Sequence, residues 1–536
     1  PQRIRSETIR PKGYAQSVKH RLTCFAQISD LQQETVMQDL TKLIKSTLNV
    51  IALAFLTNAS GQNIDITTIC KGDIWPQNYA GFTGRTKIGI NDTVQVIGTN
   101  MQNGILRYEI IYKGVNCYVI KNDIERLVLL DDTNAHNLWR YYNLKYEVYG
   151  NIATSGQQYD LRAELEGECL EFERNLEAEG FIFQDAYLEN YLQSILNGLH
   201  SKEFIVGKRQ GELNVKVLKD NSLNAFILPN GTMYINVGLL AVLQNEDELK
   251  AVMLHELAHF ILDHYIVNLG KLKKEEARLA FWSSVATATA AATEVYLAAK
   301  HDVFFGGNLA YLTAISSVLY SDAVMSRLGI QFSLEQEQQA DECASKLLVC
   351  YGINQRALQS AFNRIKGYYS EIGDYASIDG SSTHPSLQSR INRFDESDSI
   401  LSNDIRYQVR VSLANSYAAA LDYYDNHFTT CLARLKVNIN NNTAEESDYV
   451  LAAMALSKVP SIDADSVALK YLSTAEDLNV NPVISLSKQK ALVLLRLKRN
   501  EEAVLELKKY ISLLHEDENP QEIAWAKNIL FKAQLL

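Results

Sequence analysis

Leu254-His255-Glu256-Leu257-Ala258-His259-Phe260 is the stretch whose reading decides the fold. Residues four apart on a helix lie about 40° apart around its axis. His255 and His259 therefore share a face and can turn two imidazole nitrogens toward one ion. Glu256 projects beside them, where a carboxylate can hold a water. The pattern is H-E-x-x-H, a donor set suited to a hydrolytic zinc site. Upstream, Asn245 is a natural N-cap with Glu248 three positions later, and Glu246 and Asp247 fill the first turn. Leu249, Val252, Met253 and Leu257 recur at helical spacing, so an amphipathic helix buried on its apolar side is expected.

A catalytic zinc takes a third protein ligand and keeps one position open. His264 follows His259 by five residues, a turn of about 140° on a continuing helix, and is expected to face elsewhere. The better source is Ser333-Leu334-Glu335-Gln336-Glu337-Gln338-Gln339-Ala340-Asp341-Glu342. Glu337 and Asp341 are four apart and share a helical face. Glu337 can bind the ion while Asp341 orients a ligand imidazole from behind. On spacing alone Glu335 and Glu342 compete, and a solvated acidic helix is the plain alternative.

H-E-x-x-H followed by E-x-x-A-D resembles the gluzincin metallopeptidase family of HtpX-type heat-shock proteases, CAAX prenyl endopeptidases and the periplasmic β-barrel-assembly-enhancing protease. Two further segments carry the resemblance. Asn224-Ala225-Phe226-Ile227-Leu228-Pro229-Asn230-Gly231, with Val237-Gly238-Leu239-Leu240 after it, is similar to the family's N-A-x-x-x-P-x-G strand and G-L-L helix start. Thr383-His384-Pro385-Ser386-Leu387-Gln388-Ser389-Arg390-Ile391 is similar to its T-H-P-x-x-x-x-R-I. The likeness covers about residues 190–395.

The resemblance implies an α+β, mainly helical zincin-type core with one Zn2+ per chain, held by His255, His259 and Glu337, and Asp341 behind a ligand. It implies peptide-bond hydrolysis with Glu256 as general base and acid. It places His384 near the metal, as an oxyanion donor or as a latch on the open position. Arg390 either stabilises the oxyanion or salt-bridges the loop. The strand at Asn224, Ala225 and Phe226 would bind an extended substrate by strand addition. Two positions depart from the family: Leu334 stands where Arg is usual, and Gln339 where Glu is frequent. Both put in doubt ion pairs that those side chains normally make.

Outside this core, residues 63–125 alternate apolar and polar residues between Gly turns, as in Lys87–Gly98 and Tyr108–Val119, the latter with a Lys-Gly turn at Lys113-Gly114. They read as a small β-barrel that resembles the bacterial SH3-like module, implying a cell-envelope ligand. Residues 126–189 read as a helical linker with a solvated acidic run at Glu164, Glu166, Glu168, Glu171 and Glu173. Residues 405–536 are nearly free of proline and helical. Ala491–Tyr510 resembles one tetratricopeptide unit, and 408–436, around Ala414, Tyr417, Ala418 and Phe428, a degenerate earlier one. That region implies a protein partner; a plain helical bundle is the alternative.

At the other end, Met37–Gln62 runs basic, apolar, small, the layout of a signal peptide, with residues 1–36 as upstream read-through. The expected location is the periplasm or another extracytoplasmic space, with peripheral membrane contact. Two apolar runs within 279–320 are too short or too polar for a convincing span and are expected as buried or membrane-leaning helices.

Composition sets the outer bounds. A chain of 536 residues exceeds the roughly 250–300 at which one core stops growing, so a multidomain, mainly α protein is expected. The net charge of -11, from 52 Lys+Arg and 63 Asp+Glu, argues against nucleic acid. Seven cysteines (Cys24, Cys70, Cys117, Cys169, Cys343, Cys350, Cys431) form no C-x-x-C pair, so free buried thiols are expected, with Cys70 and Cys117 the pair to join in an oxidising compartment. The reading is a zinc endopeptidase (190–398) acting on unfolded or misassembled envelope polypeptides. A chaperone or envelope adaptor with a latched zinc site is the competing reading.

Overall fold

The structure is a computed structural model that describes residues 63–77, 87–102, 105–146, 148, 157–178, 180–200, 213–269, 331–379, 384, 387–394, 400–459, 461–478, 484–515 and 520–535. The expectations for 1–36, 37–62 and 279–320, and for Cys24, Thr383, Pro385 and Ser386, lie outside those residues.

The first part is an antiparallel sheet of β1 (Asn63–Cys70), β2 (Thr93–Gln102), β3 (Ile105–Tyr112), β4 (Val115–Val119) and β5 (Leu127–Leu129), in the order β4-β3-β2-β1-β5. Alternation drives it: Val94 and Val96 of β2 and Tyr108, Ile110 and Tyr112 of β3 are buried. Lys113 and Gly114, with φ of 50° and 78°, make the two-residue turn between β3 and β4. Cys70 and Cys117 are both buried free thiols, as are Cys169, Cys343 and Cys431; Cys350 is also free.

After α1 (Lys121–Ile124), α2 (Ala135–Lys145) starts at Asn134, whose Oδ1 accepts from His136 N at 2.9 Å. Helix α3 (Gln157–Ala178) buries Leu165, Cys169, Phe172 and Leu176 along one face. None of the five glutamates of the acidic run is buried. The segment expected as a linker is nevertheless built into the core: those four apolar residues join the same cluster as the residues around the H-E-x-x-H helix.

The peptidase-like core opens with α4 (Ala186–Leu199) and a three-stranded sheet of β6 (Asn214–Leu218), β7 (Ala225–Ile227) and β8 (Thr232–Asn236), ordered β6-β8-β7. Strand β6 runs parallel to β8, and β7 antiparallel to it. Helix α5 (Val237–Val242) follows at once. Gly238 is required there, because a Cβ would sit 2.1 Å from the Asn221 carbonyl oxygen.

Helix α6 (Glu246–Ile261) carries H-E-x-x-H. Asn245 caps it, its Oδ1 accepting from Asp247 N at 2.8 Å. Glu248 does not close the box onto Asn245. Its fully buried carboxylate accepts from Gln244 N (2.8 Å), Ser360 Oγ (2.5 Å) and Arg364 Nε (2.6 Å), clamping α9 (Ala357–Ile372) to α6. The amphipathic expectation also gives way: every residue from Leu249 to Ile261 except Lys250 is buried, since sheet and helices surround α6. After α7 (His264–Leu269), the core continues in α8 (Leu334–Cys350), α9, α10 (Tyr375–Asp379) and α11 (Leu387–Ile391). Ser333 and Gln336 form a reciprocal capping box at the start of α8.

The C-terminal helices are α12 (Ile405–Arg410), α13 (Ser412–Tyr424), α14 (Phe428–Asn440), α15 (Glu446–Leu456), α16 (Ala464–Leu478), α17 (Ile484–Arg496), α18 (Asn500–Leu513) and α19 (Pro520–Leu535). Neighbours pack in succession through small residues such as Ala414, Ala418, Ala491 and Ala503, all buried. They are fastened to the peptidase-like core. Tyr407 Oη donates to the Leu240 carbonyl (2.8 Å), Asn221 Nδ2 donates to Asp422 Oδ1 (2.6 Å), and Arg434 pairs with Asp422 (2.7 Å). Among the described residues, no helix is long and apolar enough to cross a membrane.

Candidate metal centre

Four side chains meet at the inner end of α6. His255 and His259 stand one turn apart, Glu337 comes from the first turns of α8, and His384 lies just before α11. One ligand atom from each lies within 4.8 Å of the others. His255 Nε2 and His259 Nε2 are 3.1 Å apart. His255 Nε2 to Glu337 Oε2 and His259 Nε2 to Glu337 Oε1 are each 3.4 Å. A tetrahedron with zinc–ligand bonds of 2.0–2.1 Å has edges of about 3.3 Å, so this triangle of side chains, with Glu337 meeting each ring through a different oxygen, has the spacing such an ion needs. Of the rivals, Glu342 faces outward to Lys145 Nζ (2.7 Å) and Tyr146 Oη (2.9 Å), and Glu335 is exposed.

The remaining contacts orient these groups. Asp341, one turn after Glu337, places Oδ1 2.9 Å from His255 Nδ1. Arg390 is buried and grips both acids: its Nε and Nη2 donate to Asp341 (3.0 and 2.7 Å), and Nη1 lies 3.0 Å from Glu337 Oε2. Its guanidinium also stacks 4.2 Å above the Phe362 ring.

His264 was expected to face elsewhere, and the structure corrects this. The expectation assumed a continuous helix, but α6 ends at Ile261 and Asp263 adopts a φ of 60°. The chain doubles back and puts His264 Nδ1 2.9 Å from His259 Nδ1. His264 Nε2 lies 3.0 Å from Gln339 Oε1. An amide oxygen only accepts, so the proton sits on His264 Nε2, and His264 Nδ1 accepts from His259 Nδ1–H. The His259 Nε2 lone pair is then aimed at the other ligands. Gln339, flagged as a departure, supplies that acceptor. The bend itself is held by Arg162 of α3, whose two terminal nitrogens donate to the Asp263 carboxylate at 3.0 and 2.5 Å, with both residues buried. The sequence signal for His264 was the helix stop at Leu262-Asp263, since Asp tolerates a left-handed conformation; nothing local pointed to Arg162.

Burial and charge set the protonation. Burial and Arg390 oppose a charge on His255, but the hydrogen bonds it donates to Asp341 and Glu337 outweigh them and hold its pKa up at about 9. Burial drives His259 well below its usual value and His264 down to about 4. Burial alone would raise Glu337; His384, Arg390 and His259 more than reverse that and keep it well below the usual carboxylate range. Asp341 is lowered likewise, burial being overcome by Arg390 and His255. Glu256 is raised by burial, and its Oε2 is buried with no hydrogen-bond partner. A carboxyl with raised pKa and a spare oxygen beside the ligand triangle suits proton transfer.

A cleft opens beside His255, Glu256, His384 and Arg390, with Leu239, Val252, Leu358 and Phe362 as apolar walls. Asn224 and Ala225 line it. Phe226 does not; its ring is buried against Tyr234, centroids 5.3 Å apart, so its side chain is withdrawn from the cleft.

The chain is similar to known metalloproteases. Residues 186–398 match peptidase family M48. The chain is 25% identical over 236 residues to the mitochondrial metalloendopeptidase OMA1 of Schizosaccharomyces pombe, covering 41% of this chain and 61% of that protein. It is 27% identical over 292 residues to a Vibrio cholerae protein provisionally named beta-barrel assembly-enhancing protease, covering 54% and 48%. It is 23% identical over 177 residues to the Escherichia coli metalloprotease YcaL, covering 33% and 56%. The chain thus spans between about half and three-fifths of the length of these relatives.

Proposed function

Since residues 186–398 belong to peptidase family M48, we propose that this chain is a zinc-dependent endopeptidase that cuts unfolded or misassembled polypeptides of the cell envelope. The observation that carries it is the ligand triangle of His255, His259 and Glu337, with edges of 3.1 to 3.4 Å and the raised carboxyl of Glu256 at its side. Those three residues would hold the zinc, which when bound acidifies a water and polarises the scissile carbonyl. Glu256 takes a proton from the attacking water and passes it to the leaving amine. Asp341 fixes the His255 ring, and Arg390 locks Asp341 and Glu337 in place. Asn224 and Ala225 would hold an extended substrate along β7, which stands at the margin of the described sheet. The five-stranded sheet is read as an SH3-like module for an envelope ligand. The C-terminal helices are read as tetratricopeptide-like repeats for a protein partner. An extracytoplasmic location accords with the relative named for β-barrel assembly.

The test is digestion of an unfolded protein by the purified chain, with and without a chelator. Chelator-sensitive cleavage is expected; its absence rejects the proposal. One observation favours a second reading, an adaptor with a latched site: His384 Nδ1 lies 2.8 Å from Glu337 Oε1 and belongs to the converging group. In that case His384→Ala would release activity that the unaltered chain lacks.

A further inference from the structure

A second cavity lies where the β6–β7 turn and the end of α9 meet the helices α13 and α14. Three carboxylates line it: Asp220 from the turn, Asp374 after α9, and Asp425 after α13. Among the described residues, none of the three has an ion-pair partner. Asp220 is only 5% exposed. One of its oxygens accepts from Ser222 N at 2.7 Å; the other, Oδ2, is buried with no partner. A carboxylate so placed is costly unless a cation reaches it. Lys219 also lines the cavity; its Nζ donates to the Gly180 carbonyl at 2.9 Å and forms no ion pair with these carboxylates. His427, beside Asp425, leaves Nδ1 buried without a partner.

Two features say what the cation is. The carboxylates do not converge; the His255 cluster is the only set of metal-spaced ligand atoms among the described residues, so a compact divalent ion does not fit here. The walls between them are Tyr368, Tyr369, Ile372 and Leu421, surfaces that take a methylene stem and an aromatic-stacked cation. The cavity adjoins the metal cleft. Tyr369 and Ser377 line both, and the turn Lys219–Ser222 runs directly into Leu223, Asn224 and Ala225 of the cleft.

We propose that this cavity is a substrate subsite that receives a lysine or arginine side chain of the polypeptide lying in the metal cleft. It rests on the peptidase reading and deepens it: the preferred substrate pairs an apolar residue near the metal with a basic residue toward the C-terminal helices. Burial and the Asp425 charge, opposed by hydrogen bonds from the Ser222 backbone and side chain, raise the Asp220 carboxyl to about 6.

The test uses the full-length, zinc-loaded chain carrying Glu256→Gln, so that peptides bind without being cut. Fluorescence anisotropy compares labelled peptides that carry lysine, or norleucine as its uncharged counterpart, at successive positions. At one position lysine should bind about tenfold more tightly. Asp220→Asn with Asp425→Asn should bring that ratio to within about twofold, and Asp425→Asn alone, at an exposed position, should lower it partway. Equal binding of both peptides at every position, no binding of the lysine series, or a ratio that survives the double substitution overturns the subsite. Cleavage of the same peptides by the unaltered chain is scored separately. A lysine preference without chelator-sensitive cleavage would reject the peptidase reading and leave the subsite standing; cleavage without the preference would do the reverse.

Discussion

His264 Nδ1 lies 2.9 Å from His259 Nδ1, although the helix that carries His259 stops before His264 begins another. The contact orients the His259 ring, with Nδ1 toward His264 and Nε2 toward His255 and Glu337. Replacing His264 with Phe, or Gln339 with Ala, should weaken zinc binding about 10- to 100-fold, the usual cost of losing a group behind a ligand. Competition with a chromogenic chelator measures it; unchanged affinity would mean that the His259 ring is fixed by packing alone, for instance by the Phe332 ring stacked on it at 3.7 Å.

Glu256→Gln should leave one zinc per chain and lower peptide cleavage by at least about 100-fold, because the amide cannot take up a proton. Metal analysis and a peptide turnover assay on one sample decide it. Normal turnover would remove Glu256 from the reaction.

Glu337→Ala and Asp341→Asn should separate. The first removes a ligand atom and should drop zinc stoichiometry well below one. The second leaves the triangle intact but loosens His255, and should retain zinc with a faster loss to chelator. Equal stoichiometry in both would reject Glu337 as a ligand.

Asp220 makes stability depend on pH. Its folded-state value of about 6 lies above the ordinary 3.8, so folding favours the protonated form. That contribution is complete below about 4 and is lost as pH rises through about 6. Asp425 adds to the shift, while Lys219 and His427 also line the cavity. Asp220→Asn, which cannot ionise, should therefore raise the thermal midpoint at pH 8, by the equivalent of at most about 3 kcal/mol, and have little effect near pH 4. Melting curves at both values test the sign.

Much of the centre was legible because its chemistry is local. H-E-x-x-H needs only helical spacing, Asn245 is a strong cap, and Glu337 with Asp341 again lie one turn apart. The Lys113-Gly114 turn was legible because few residue types accept its backbone. What escaped were relations across the chain. Glu248 looked like half of a capping box, yet it is spent on Ser360 and Arg364, more than a hundred residues away. The burial of α6 on all sides depends on neighbours that its own periodicity does not announce.

The pair Arg162–Asp263 bears on how this protein can be divided. A gene fragment trimmed to the family-matching residues 186–398 would begin after Arg162 and keep Asp263. The excised piece would carry a stranded negative charge under the bend that turns His264 toward the metal ligands. An inactive or insoluble fragment would then report on where the scissors fell, and a fragment that begins upstream of helix α3 keeps the Arg162–Asp263 pair whole.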